Sequence, residues 1–205
     1  MDRFVDLTRP LRPDMPRFPT DPPLQVSELE SAAADSFEVL AYSVVGPAGT
    51  HVDAPAHALP GGRTLADIPL SEMVLPLVVL PLIDAPCLTA AHIRAWESRH
   101  GRIPSGCFAA LHTGSLDAGW SLDAVQLLDA RGVVAIGHDT LNTDPAGVTG
   151  RGGYPAQRWW LEHDHWQVEL LTGLEQVPPT GATMWVSWPV PAGGSSFPCR
   201  AVAVL

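Results

Sequence analysis

Gly49-Thr50-His51-Val52-Asp53-Ala54-Pro55-Ala56-His57 packs two imidazoles and a carboxylate into seven positions, beside residues that bend the chain. In an extended strand, side chains at i and i+2 share a face, so His51 and Asp53 converge on one ligand or ion. Pro55 ends the extended run and lets His57 fold back toward them. A surface loop that happens to carry two histidines and an aspartate is the plainer alternative. The density of ligand-type residues at strand spacing favours a reaction centre instead.

Working outward, residues 4–8 read as a strand and 9–23 as a proline-rich irregular segment containing Phe18. Residues 37–45 and 51–54 read as strands around the signature, and 74–81 as a buried strand with almost no polar relief. A helix is expected over 89–100, capped by Thr89, with Ile93 and Trp96 on its apolar face. Residues 107–111 form a further buried strand leading into His112-Thr113-Gly114, and 121–131 a helix with Ser121 as cap and Gly132 as terminator. Strands at 133–136, 165–170, 183–190 and 201–205 and a short helix over 155–163 complete the pattern. This is an α/β layout with few helices.

At 205 residues and 46% hydrophobic content the chain suits one substantial core, so a single domain over 1–205 is expected. A formal charge of −10 and a pI near 5.1 argue against nucleic acid, whose phosphates such a field repels. Prolines interrupt every apolar run before the roughly 20 residues needed to span a bilayer, so no membrane partner is expected. All 12 basic side chains are arginines, which excludes Schiff-base and pyridoxal-phosphate chemistry through lysine. Cys87, Cys107 and Cys199 are scattered and odd in number, and the opening Met1-Asp2-Arg3 does not start a secretory segment. A cytoplasmic protein with reduced thiols is expected; Cys199 becomes a nucleophile only if it reaches a cavity.

The 49–57 stretch resembles the signature His-x-Gly-Thr-His-x-Asp-x-Pro-x-His of the cyclase family, whose best-known members are bacterial kynurenine formamidases and isatin hydrolases. Val5-Asp6-Leu7-Thr8 is similar to the family's opening strand, and residues 137–144 to its Gly-x-Asp-Thr-x-x-x-Asp segment. Residues 169–178 resemble the stretch opening with the metal-bridging glutamate, and 198–202 the closing Pro-x-Arg-Ala. The resemblance implies the swivelling β/β/α fold with a mixed sheet, and association into homodimers or homotetramers around a small-molecule substrate.

The departures are informative. Pro47 stands where the family has its first signature histidine, and Gln157 where it has another histidine a dozen residues before the glutamate. Proline offers no side-chain lone pair, and a glutamine amide oxygen is a weak zinc ligand. His51, Asp53 and Glu169 remain as metal ligands, giving one nitrogen and two carboxylates. That set suits a single weakly held manganese, zinc or magnesium ion, or none. His163 and His165 are possible replacements. In a strand, however, His165 would lie roughly 13 Å from Glu169, too far to share one ion without a bulge.

By the resemblance His57 is the general acid/base, acting with Asp53, His51 and Glu169. Phe18, Trp159, Trp160 and His138 are candidate substrate contacts, although tryptophans also suit cores and His138 also suits a structural hydrogen-bonded role. The six residues from Ser115 to Trp120 shorten a loop that is often longer in the family, which would open the pocket to a bulkier substrate. Losing two imidazoles favours a ring-forming enzyme on a polyketide-like intermediate of secondary metabolism, because ring closure can be driven by orientation without an ion. The alternatives are a metal-dependent amide hydrolase of the arylformamidase type, acting on an N-formylkynurenine-like substrate, and an inactive ligand-binding relative.

Overall fold

The computed structural model describes residues 3–148 and 153–205. In chain order the elements are β1 (Phe4–Asp6), β2 (Gln25–Glu30), α1 (Ala32–Asp35), β3 (Val39–Ser43), β4 (His51–Asp53) and β5 (Val74–Pro81). They continue with β6 (Cys87–Leu88), α2 (Ala90–His100), β7 (Phe108–His112), β8 (Gly119–Trp120), α3 (Leu122–Ala130) and β9 (Ala135–His138). Last come α4 (Pro155–Glu162), β10 (Trp166–Glu169), β11 (Ala182–Ser187), β12 (Ser196–Pro198) and β13 (Arg200–Val204).

Among the described residues the main sheet has nine strands in the order β1-β13-β11-β5-β7-β9-β10-β4-β12. Its centre, β5-β7-β9-β10, is parallel, and antiparallel strands flank it on both sides. This is the α/β layout that the pattern of the chain implied, with the mixed sheet that the resemblance implied.

The long apolar run of β5 follows from burial on both faces. Leu77 and Val79 join a core with Phe108 and Trp166, while Val78 and Leu80 join a second core with Trp96, Trp120 and Leu128. Helices α2, α3 and α4 supply that second core through Ile93, Val125 and Trp160. A parallel strand covered on both sides has no place for polar residues. The helix starts are set locally. Ser121 Oγ accepts the Ala124 N–H at 3.3 Å, and the Thr89 N–H donates to His92 Nδ1 at 3.0 Å.

One expected strand lies elsewhere. Residues 37–45 contribute β3, which pairs with β2 in a separate antiparallel ribbon rather than joining the main sheet. Leu29, Phe37 and Tyr42 on this ribbon and its turn are exposed.

Candidate metal and catalytic site

Sheet register assembles the site. On the β10–β4 ladder, Gln167 stands opposite Asp53 and Glu169 opposite His51. Their neighbours Val52, Trp166 and Val168 point to the first core, so the four polar side chains share the opposite face. His51 Nε2 lies 3.7 Å from Asp53 Oδ1 and 3.6 Å from Glu169 Oε2. One ligand atom from each of the three residues falls within 4.8 Å of the others. His57 follows on a single 3-10 turn begun by Pro55, with Nδ1 4.0 Å from Asp53 Oδ1 and a third of its side chain exposed.

The orientation of His51 is fixed from behind. Gly49 has φ +61°, which turns its carbonyl to accept the His51 Nδ1–H at 2.8 Å. Nε2 is left facing Asp53 and Glu169, free to bind an ion once it gives up its proton. Thr50 Oγ1 donates to the Leu170 carbonyl at 2.7 Å, tying this strand to the loop that follows Glu169. Leu170 itself has φ +57°, an unusual conformation for a branched residue and one that recurs beside functional sites.

Sequence reasoning missed the shell that holds the carboxylates. Gln167 Nε2 donates to Asp53 Oδ2 at 3.1 Å and to Glu169 Oε1 at 2.9 Å. Gln167 Oε1 in turn accepts from Thr143 Oγ1 at 2.9 Å. One amide thus fixes both carboxylates and leaves Asp53 Oδ1 and Glu169 Oε2 turned toward His51. Alternation of Gln167 and Glu169 with apolar Trp166 and Val168 was the available signal, but the pairing of Gln167 with Asp53 is a matter of register.

Without a metal ion, the charges at the site are balanced by protons that a cation can replace. Burial opposes the charged form of His51, yet the Asp53 and Glu169 carboxylates outweigh it and raise its pKa to about 9. Burial, reinforced by the Asp53 charge, pushes Glu169 up to about 8. Burial also works against Asp53, but His51 overcomes it and holds that carboxylate below its ordinary range. His51 Nε2 and Asp53 Oδ1 are buried without a hydrogen-bond partner among the described residues. Buried polar atoms without a partner are costly, and a divalent ion that displaces the His51 proton satisfies both. One nitrogen and two carboxylates therefore fit a metal ion.

These groups line a cavity of about 440 Å³. Pro47 and Gln157, at the positions of the missing imidazoles, line it too. Phe18 lines it, paired edge-on with Tyr154 at 6.4 Å. Asp144 accepts the N–H groups of Ala156 and Gln157 at 2.8 and 3.0 Å, so it anchors the helix that presents Gln157.

The structure corrects several other assignments. Trp160 is fully buried in the second core and donates to the Trp166 carbonyl, while Trp159 stacks on His163 at 3.8 Å; neither lines the cavity. His138 sits behind Glu169, buried and bonded to Thr140 and Thr143, and burial lowers its pKa to about 3, so it is a neutral support rather than a substrate contact. His165 pairs with Asp129 at 2.9 Å and stacks on Trp160, and does not replace a lost ligand. Ser115 and Leu116 of the shortened loop line a different cavity, and none of its residues lines this one. Cys199 is buried off the cavity, and burial drives its thiol further up from its ordinary range.

The family model named Cyclase matches residues 5–145. The chain belongs to the cyclase family. It is similar to a kynurenine formamidase of Maricaulis maris, at 28% identity over 98% of both chains. It is also similar to the isatin hydrolase of Roseibium aggregatum, at 24% identity over 98% of this chain and 91% of that one. Among solved structures, isatin hydrolase A from Ralstonia solanacearum superposes with a TM-score of 0.88 at 28% identity, over 100% of this chain and 92% of that one.

These relatives are hydrolases, and they overturn the expectation of a non-hydrolytic, ring-forming enzyme on a polyketide-like substrate. The physical error lay in equating the loss of two imidazoles with loss of the cation seat. His51, Asp53 and Glu169 still converge, and His51 Nε2 and Asp53 Oδ1 have no hydrogen-bond partner among the described residues.

Proposed function

We propose that this chain is a metal-dependent hydrolase that opens the amide of an aromatic amine, the linkage shared by isatin and a formylated kynurenine. The observation that carries this reading is the convergence of His51 Nε2, Asp53 Oδ1 and Glu169 Oε2 at the floor of an aromatic-edged cavity. The similarity to isatin hydrolases and kynurenine formamidases supports the reaction class.

One divalent ion would be held by His51, Asp53 and Glu169. A donor set richer in oxygen than nitrogen suits manganese better than zinc. When bound, such an ion supplies an activated water and polarises the amide carbonyl.

The remaining steps belong to side chains of the chain itself. Gln167 keeps both carboxylates turned inward, so no reorientation is needed when charge develops. His57, partly exposed beside Asp53, is placed to take a proton at the reacting centre and return it to the departing aryl nitrogen. Phe18 and Tyr154 offer an aromatic wall for the ring of the substrate. Gln157 presents an amide where the family has an imidazole, able to donate to a carbonyl oxygen or accept an aniline N–H.

The test is turnover of N-formylkynurenine and isatin by purified protein, before and after EDTA, with manganese, zinc or magnesium restored. Hydrolysis that EDTA abolishes and one of these ions restores supports the reading. Absence of turnover of both amides under every metal, or turnover indifferent to EDTA, overturns it.

A further inference from the structure

A second cavity, of about 180 Å³, lies at the ends of β7 and β9, lined by Arg9, His112, Gly114, Asp139, Gly173 and Glu175 among others. It shares no lining residue with the metal cavity.

Arg9 is the anomaly. Its backbone N–H donates to Thr50 Oγ1 at 2.9 Å, which fixes the residue at the cavity wall. The residue is partly exposed and its guanidinium makes no hydrogen bond or ion pair among the described residues, but Nε is buried without a partner. A buried guanidinium nitrogen left unpaired is expensive, and in folded proteins such a group has a partner of some kind.

The acids in the same wall do not supply it. Asp139 is committed to the Thr113 N–H and hydroxyl and the Gly114 N–H, at 2.8–3.0 Å. Glu175 is exposed and turned to the Gln176 amide. His112 adds a second donor-capable ring, with Nε2 4.0 Å from Asp139 Oδ2 and nearly a third of its side chain exposed.

We infer that this cavity is a binding site for a small carboxylate monoanion, held by the Arg9 guanidinium with His112 beside it. The guanidinium fork matches the two oxygens of a carboxylate, and the cavity is too small for a drug-sized ligand. The Asp139 and Glu175 charges nearby disfavour a dianion, which ranks formate and acetate above phosphate. This inference does not depend on the hydrolase reading, because binding is read without turnover.

The experiment titrates ¹⁵N-labelled protein with formate, acetate and phosphate, with chloride holding ionic strength constant, and follows backbone amides. Saturable shifts at Gly114, Ser115 and Gly173 are expected for formate and acetate, with phosphate at least threefold weaker. Arg9→Gln is expected to weaken acetate at least tenfold. The wild-type shift map localises the site even if that variant does not fold. Shifts confined to residues of the metal cavity, no saturation at the three amides, or equal affinity in folded Arg9→Gln would each overturn the inference and leave a cavity that holds water only. Tighter phosphate than acetate binding would overturn the carboxylate assignment.

Discussion

Replacing Gln167 with methionine keeps the side-chain length but removes the amide that touches both metal-facing carboxylates. Two hydrogen bonds to carboxylate oxygens disappear, at 3.1 Å to Asp53 and 2.9 Å to Glu169, and the Thr143 hydroxyl loses an acceptor. Hydrogen bonds to charged groups contribute about 1.5–3 kcal/mol each, so their sum bounds the effect from above. A bound ion neutralises part of the same charge, and Thr143 Oγ1 still lies 3.1 Å from Glu169 Oε1. The loss in metal affinity should therefore fall within the 10- to 100-fold range of outer-shell substitutions, about 1.4–2.7 kcal/mol. The assay is competition for manganese against a fluorescent chelator, with circular dichroism confirming the fold. Activity should fall at limiting metal and recover largely at saturating metal. Manganese affinity within twofold of wild type in a folded Gln167→Met protein would refute the argument that this amide presets the carboxylates.

His57→Ala should lower kcat for the amide substrate by about 10²–10⁴-fold while leaving metal content unchanged, checked by steady-state kinetics beside elemental analysis. In metal-free protein His51 is raised to about 9 and Glu169 to about 8, so their contribution to stability is greatest at low pH and is lost as pH rises. Thermal scans of metal-free protein should show falling Tm between pH 6.5 and 9, and metal uptake over that range should release protons. Burial raises Cys107 to about 12 and lifts Cys199 and Cys87 as well. At pH 8, iodoacetamide should label half-buried Cys87 slowly and the other two only after unfolding, read by mass spectrometry. Gly49→Ala places a Cβ 2.8 Å from Leu11 Cδ2 at φ +61°, and should cost about 1–2 kcal/mol or more in urea unfolding.

The signature stretch was legible because its chemistry is local: strand spacing puts His51 and Asp53 on one face, and Pro55 turns the chain to His57. The buried strands at 74–81 and 107–111 and the helices capped by Thr89 and Ser121 also follow from local pattern, and the structure places them within a residue or two. What escaped was set by register and packing. Gln167 acquires its role only because β10 pairs with β4 so that it faces Asp53. Trp159 and Trp160 are near Glu169 in the chain, but the helix turns Trp160 to the core and leaves Trp159 against His163. The short β12, which flanks β4 through the Ser196–Asp53 pair, gives no periodic signal in three residues. The choice between ring closure and hydrolysis failed for a related reason. Counting lost imidazoles does not reveal that the surviving three groups converge, with His51 Nε2 and Asp53 Oδ1 lacking partners among the described residues.

Anomalous diffraction at the metal edge, from crystals of protein grown with manganese, tests the central claim most directly. A single peak in contact with His51 Nε2 and with carboxylate oxygens of Asp53 and Glu169 is the result predicted. No peak at that point, or a pair of ions drawing on donors other than these three residues, would contradict it.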